Sequence, residues 1–308
     1  MEGCRLTMGK PPMKISPMTI PPLGGCFRVL CLLFASASPQ LLAQDPPADP
    51  ALVEVGGRTL KVPAPEGYVR CDGVNMTWDQ AMNSLMPASN RMLATFGTQQ
   101  DQDLIRKGTP SDYPRNFNIQ VVRSIESMEI GQRTFAEMRG EIQKEVQKAM
   151  ASIEADLKKI TDQSNKQFTD NFGVDVALSI TDTAVLGFFE DTENSLGFTM
   201  AMKVGSKDNG ETVSNRAVVA CLMAPVNGRA VNLYSTAPYT GKADIAEVEK
   251  SVLAWRDAIQ AVNPRLQGPA AGFDWQHLRL TTAIGAGIGL IVGLGFWILG
   301  KSKRSKSE

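Results

Sequence analysis

The chain has 308 residues, 32 Lys and Arg against 32 Asp and Glu, and one histidine, His277. One histidine excludes a Ser-His-Asp or Cys-His arrangement inside a domain, and it excludes a zinc site built from several imidazoles. The zero total hides an asymmetry: residues 44–279 carry 24 Lys and Arg against 30 Asp and Glu, a net charge of −6. That balance argues against nucleic acid as a partner, because phosphates call for clustered Lys and Arg.

Residues 1–43 read as a secretory signal peptide. Arg28 precedes an apolar run over residues 29–35, and small residues with Pro39 follow. Cleavage is expected after Ala43, with Ala37 as the alternative. Leu23-Gly24-Gly25-Cys26 looks like a lipobox but has only polar and Pro-rich sequence before it. Of five cysteines, Cys4, Cys26 and Cys31 lie in this leader, which leaves Cys71 and Cys221 in an oxidising setting. A disulfide between them would close a long loop and stabilise by at most ~5 kcal/mol. The alternative is two buried thiols, since cysteine packs as a small hydrophobe.

Residues 44–51 form a Pro-rich tether. Two short alternating runs flank Gly56-Gly57 and read as a tight hairpin. Thr77 with Gln80 reads as a capping box for a short helix over residues 78–86, and Thr134 with Glu137 as another. Strands are expected over residues 91–96 and 116–125, with a short helix over 99–107 between them. Behind Thr134, a helical pattern runs to about Phe168, with Phe135, Met138, Ile142, Val146, Ile153, Leu157 and Ile160 on one stripe. It reads as a long helix packed across a sheet, with a break near Gln163-Ser164-Asn165; a coiled-coil seam is the alternative.

From Val174 the period changes to two. Strands are expected over residues 174–180, 184–189, 195–204, 213–224 and 229–235, and Asn227-Gly228 is a hairpin signal. The short connections make them antiparallel neighbours. The acidic turns lack the spacing that calcium coordination uses. A last helix over residues 244–263 has Ile245, Val248, Val252, Trp255, Ile259 and Val262 on one face and stops at Pro264.

Residues 264–279 read as a linker. Residues 280–300 carry no charge and are long enough, at ~1.5 Å per residue, to cross a bilayer core of ~30 Å. Lys301, Lys303, Arg304 and Lys306 follow in a basic tail over residues 301–308, which places the C-terminus in the cytoplasm by the positive-inside rule. Gly285, Gly289 and Gly293 form one shallow stripe, which reads either as a helix-association face or as ordinary membrane-helix composition. The expected architecture is an exported α+β domain over residues 52–263. It has an antiparallel sheet of about five to seven strands, packed by a long helix and a C-terminal helix, followed by one transmembrane helix.

The order of strands, Asn-Gly hairpin and amphipathic helix ending at Asn263-Pro264 resembles the PsbP-like α+β domains, as does Val-Pro-Ala-Pro-Glu-Gly-Tyr over residues 62–68. The resemblance spans residues 52–263 and rests on element order. It implies a binding or assembly role and carries over no functional residue. No Ser-x-x-Lys, phosphate loop or Cys-x-x-Cys stands in the chain, and no cofactor or metal is implied. The expectation is a membrane-tethered, periplasmic-type binding or assembly domain, with the bilayer and a protein partner or a second copy as its contacts. The alternative is a carboxylate-type hydrolase or a carrier of a small apolar ligand, with its site in a sheet–helix cleft.

Overall fold

β1 (Ala51–Val55) and β2 (Arg58–Val62) alternate apolar and polar residues, and Gly56 and Gly57, at φ 52° and 78°, fold one strand onto the other. In this computed structural model, which describes residues 49–109, 114–149, 153–172, 177–208 and 211–267, the hairpin stands as a two-stranded sheet of its own. The main sheet has seven strands in the order β3-β4-β5-β9-β8-β7-β6, with every pair antiparallel. They are β3 (Val69–Arg70), β4 (Asn90–Gly97), β5 (Asn116–Val122), β6 (Ala177–Thr192), β7 (Ser195–Asp208), β8 (Glu211–Val226) and β9 (Arg229–Pro238). Asn227 and Gly228, at φ 48° and 74°, turn β8 into β9.

Strand side chains alternate between two cores. On one face Phe96, Phe117, Ile119, Leu222 and Leu233 meet the hairpin's Val55, Leu60 and Val62 and the inner stripe of α5 (Lys242–Val262), which is Val248, Val252, Trp255 and Ile259. The Trp255 ring packs edge-on against Phe96 and Phe117 and donates its N–H to the Pro63 carbonyl at 2.8 Å. At the end of α5 the Asn263 amide pairs with the backbone of Lys61, accepting from its N–H at 2.9 Å and donating to its C=O at 2.7 Å.

On the other face Phe198, Met200, Cys221, Met223 and Tyr234 lie beneath α1 (Met76–Ser84) and α3 (Gln132–Ala149). α2 (Gln99–Arg106) inserts Ile105 into the same core, and α4 (Ile153–Phe172) packs on β6 and against α1. The segment after α5 returns to the start of α3: the backbone N–H groups of Gln132 and Arg133 donate to the carbonyls of Leu266 and Gln267 at 2.9 and 3.0 Å.

These features correct the expected fold. The sheet has seven strands with a separate hairpin sheet beside it. Among the described residues no helix is long and apolar enough to cross a membrane, so the transmembrane architecture is not supported. The longest described helix, α5, confines its apolar residues to one stripe and carries Lys, Glu, Asp and Arg elsewhere. Residues 280–300, with Gly285, Gly289 and Gly293, lie outside the described residues, as do the leader and the basic tail. The expected long helix is described as two, α3 and α4, and α4 runs unbroken through residues 163–165. Residues 177–192 make one strand where two were expected. Asp182, at φ 50°, sits in a bulge that keeps β6 on β7 where a turn would have ended it.

Candidate functional site

The N-terminus of α1 is held by Asn75, not by the expected Thr77. The Asn75 side chain accepts from the Trp78 N–H at 3.1 Å and donates to the Ile105 carbonyl at 3.0 Å, fixing α1 to α2. Trp78, Ala81, Met82 and Leu85 then turn into the core. That rotation leaves Gln80 and Asn83 exposed on the flank that meets α4, with Ser84 buried at its edge.

Gln167 and Asn171, one turn apart on α4, line the opposite wall. The Asn171 amide donates to the Ser84 hydroxyl at 2.8 Å, and that hydroxyl donates to the Gln80 carbonyl at 2.9 Å. This hydrogen bond joins the two helices, which leave between them an open groove of about 520 Å³ lined by Gln80, Asn83, Ser84, Gln167 and Asn171. None of the five is charged. Among the described residues the amides of Gln80, Asn83 and Gln167 have no hydrogen-bond partner, so three donor–acceptor groups face the groove.

A second polar cluster is sealed inside. Asn90 donates to Gln120 at 3.0 Å and Gln120 to Asn118 at 2.6 Å, on the face of β5 opposite Phe117 and Ile119. All three are almost fully buried, so this row specifies strand register and offers nothing to a ligand. Nearby, Thr95 Oγ1 and Asn232 Oδ1 are buried with no hydrogen-bond partner among the described residues.

The charged clusters join elements. Arg229 donates to the carbonyls of Val55, Gly56, Met128 and Gly228, which fastens the hairpin tip to the sheet. Arg91 pairs with Glu126 and donates to the Glu54 carbonyl. Arg256 on α5 binds Glu190 at 2.6 Å and Ser195 at 2.5 Å, and Ser195 donates to Glu190 at 2.9 Å. This Ser–Glu–Arg set has the parts of an activated hydroxyl, but Ser195 is fully buried, so no substrate reaches it. Among the described residues no three His, Cys, Asp or Glu gather to hold a metal ion.

Cys71 and Cys221 are both buried and are not bonded to each other in this structure. The Cys71 thiol donates to the Val69 carbonyl at 3.6 Å, and Cys221 stands opposite Tyr234 on the neighbouring strand. Burial pushes the Cys221 thiol up to about 12, against the hydrogen bond with Tyr234, and burial raises the Tyr234 phenol too.

The sequence marks Gln80 only as a capping partner and gives no signal at Asn83, Ser84, Gln167 and Asn171, because amides and hydroxyls on helices read as solvated faces. No family model matches the chain, and no curated protein matches it.

Proposed function

We propose that residues 52–263 form a binding domain and that the groove between α1 and α4 is its binding surface. The observation that carries this reading is the convergence of Gln80, Asn83 and Gln167 on one open groove with no charge in its lining and, among the described residues, no partner for their amides. Such a lining selects a neutral ligand rich in hydrogen-bond donors and acceptors, because a charged ligand would lose its hydration there with no opposite charge to compensate. The volume falls in the range that small ligands and short segments occupy. The tie from Asn171 to Ser84 helps set the spacing of the walls before a ligand arrives, which lowers the ordering cost of binding.

The test is a binding screen of the purified protein against neutral and charged small ligands, read by the side-chain amide resonances of the five lining residues. Neutral ligands should shift those resonances, and Gln80→Ala with Gln167→Ala should abolish the shift. A site that prefers charged ligands, or neutral binding indifferent to both substitutions, would overturn the assignment.

A further inference from the structure

We infer that α3 is a lid over the core it shares with α1, and that residues 264–267, the segment returning from α5, are the latch that keeps it shut. With the segment seated, α3 is capped and the core closed. With the segment released, α3 lifts while the sheet, the first hairpin and α5 stay in place. Three observations carry it. The first is how α3 begins. No acidic residue stands in its first turn, so no carboxylate there meets the positive end of the helix. The N–H groups of Gln132 and Arg133 are met by the carbonyls of Leu266 and Gln267, and the Gln267 side chain donates to Gln132 Oε1 at 3.0 Å, across 135 residues of sequence. Leu266 leans over Gly228, where an added methyl group would stand 3.0 Å from it. Pro264, Arg265 and Gln267 are exposed, and main-chain bonds at the water's edge open before those inside a sheet.

The second is that the two cores differ in kind. Met82, Met86, Met138, Met200, Met202 and Met223 are all buried on the α3 side, and among the described residues the core beneath α5 contains no methionine. A methionine side chain has three rotatable bonds and fits many shapes, so such a core has no single packing to lose when a helix shifts. α5 presents Val248, Val252, Trp255 and Ile259, whose branched and aromatic side chains fit one way. The bonds from Trp255 to Pro63 and between Asn263 and Lys61 fasten α5 to β2 and the residue after it. Asn263 also stands between α5 and the latch, so release of residues 264–267 stops there.

The third is where the unmet polar atoms lie. Ala94, Phe96, Val231 and Leu233 face the α5 core, so Thr95 and Asn232 between them face the α3 side. Thr95 Oγ1 and Asn232 Oδ1 have no hydrogen-bond partner among the described residues, and water admitted by an open lid would supply one.

The experiment is native-state hydrogen exchange of the full chain, read amide by amide. In the native protein the α3 amides of Met138 and Ile142 should exchange faster than the α5 amides of Val252 and Ile259. Leu266→Ala with Gln267→Ala loosens the latch without touching α3, and it should speed the two α3 amides about fivefold while the two α5 amides keep their rates. Gln132→Pro attacks the same contact from the other side. Proline is tolerated at the first helical position, so this variant removes a latch bond and keeps the helix, and it should act in the same direction. Hydrogen peroxide, which transfers one oxygen to an exposed thioether and leaves as water, should oxidise Met138 and Met200 faster in both variants. Equal acceleration of α3 and α5 amides would show that the domain opens as one body and would overturn the lid. Unchanged α3 rates in the Leu266 and Gln267 variant would overturn the latch.

Discussion

Gly56, at the tip of the first hairpin, lies so close to Glu126 that a methyl group on its α-carbon would stand 2.1 Å from the Glu126 carbonyl oxygen. That contact seats the hairpin on the loop after β5, and Arg229 holds the Gly56 carbonyl from the other side at 2.6 Å. Its neighbour Gly57 has the same left-handed backbone but nothing within 4 Å of its missing side chain. Gly57→Ala should therefore cost only the left-handed penalty, about 1–2 kcal/mol. Gly56→Ala should cost at least about 2 kcal/mol more than that, because backbone must move. Urea midpoints of the two variants measure the difference, and equal losses would show that the close approach contributes nothing.

Trp255 joins three parts of the core beneath α5 through one side chain. Truncation to Ala should cost about 3–5 kcal/mol from lost packing. Trp255→Phe keeps an aromatic ring between Phe96 and Phe117 but leaves the Pro63 carbonyl without its donor, for a loss of about 1–2 kcal/mol. Chemical denaturation followed by far-ultraviolet dichroism reports both.

Acid should weaken the fold through Glu126 and Glu190. The hydrogen bond from Arg91 holds Glu126 below the ordinary carboxylate value of 4.5, against the opposing push of partial burial. Burial pushes Glu190 up, and the hydrogen bonds from Ser195 and Arg256 outweigh it, so its net position is also low. A carboxyl lowered in the folded state contributes stability that is fully present above its unfolded value and is lost as pH falls through its folded value. Stability should hold from neutrality to about pH 5 and decline below about pH 4.5. Glu126→Gln and Glu190→Gln should each lower stability at pH 7 and flatten the acid decline. An unchanged slope in both variants would remove these pairs as its cause.

The native protein should resist thiol reagents. Thiolate is the reactive form, burial pushes the Cys221 thiol up to about 12, and both Cys71 and Cys221 are fully buried. Neither should react with a maleimide at pH 8 in buffer within an hour. Rapid native labelling of Cys221 would show that β8 and β9 open locally.

What the sequence disclosed was what local chemistry encodes. Asn227-Gly228 announced its turn because few residue pairs adopt two left-handed conformations in succession. The face of α5 was legible from Val248, Val252, Trp255 and Ile259 at helical spacing. Illegible were the features whose partners are distant. Thr134 with Glu137 has the pattern of a cap, yet α3 begins at Gln132, and the Gln132 and Arg133 N–H groups are met by Leu266 and Gln267, far along the chain. Thr77 lost its role to Asn75 because the Asn75 side chain also reaches Ile105 on the next helix. The groove was hidden for a third reason: Asn83, Gln167 and Asn171 are ordinary surface amides on their own helices, and only the packing of α1 against α4 makes them neighbours.

The return of the segment after α5 to the start of α3 has a mechanical consequence. The described residues end at Gln267, beside the first turn of α3, where two main-chain hydrogen bonds hold the segment. Tension applied at Gln267 loads those two bonds first, and behind them stands the double grip of Asn263 on Lys61. The seven-stranded sheet, with its long ladders between β7, β8 and β9, is loaded last. Tension applied at Gln267 should therefore uncap α3 before it strains the sheet.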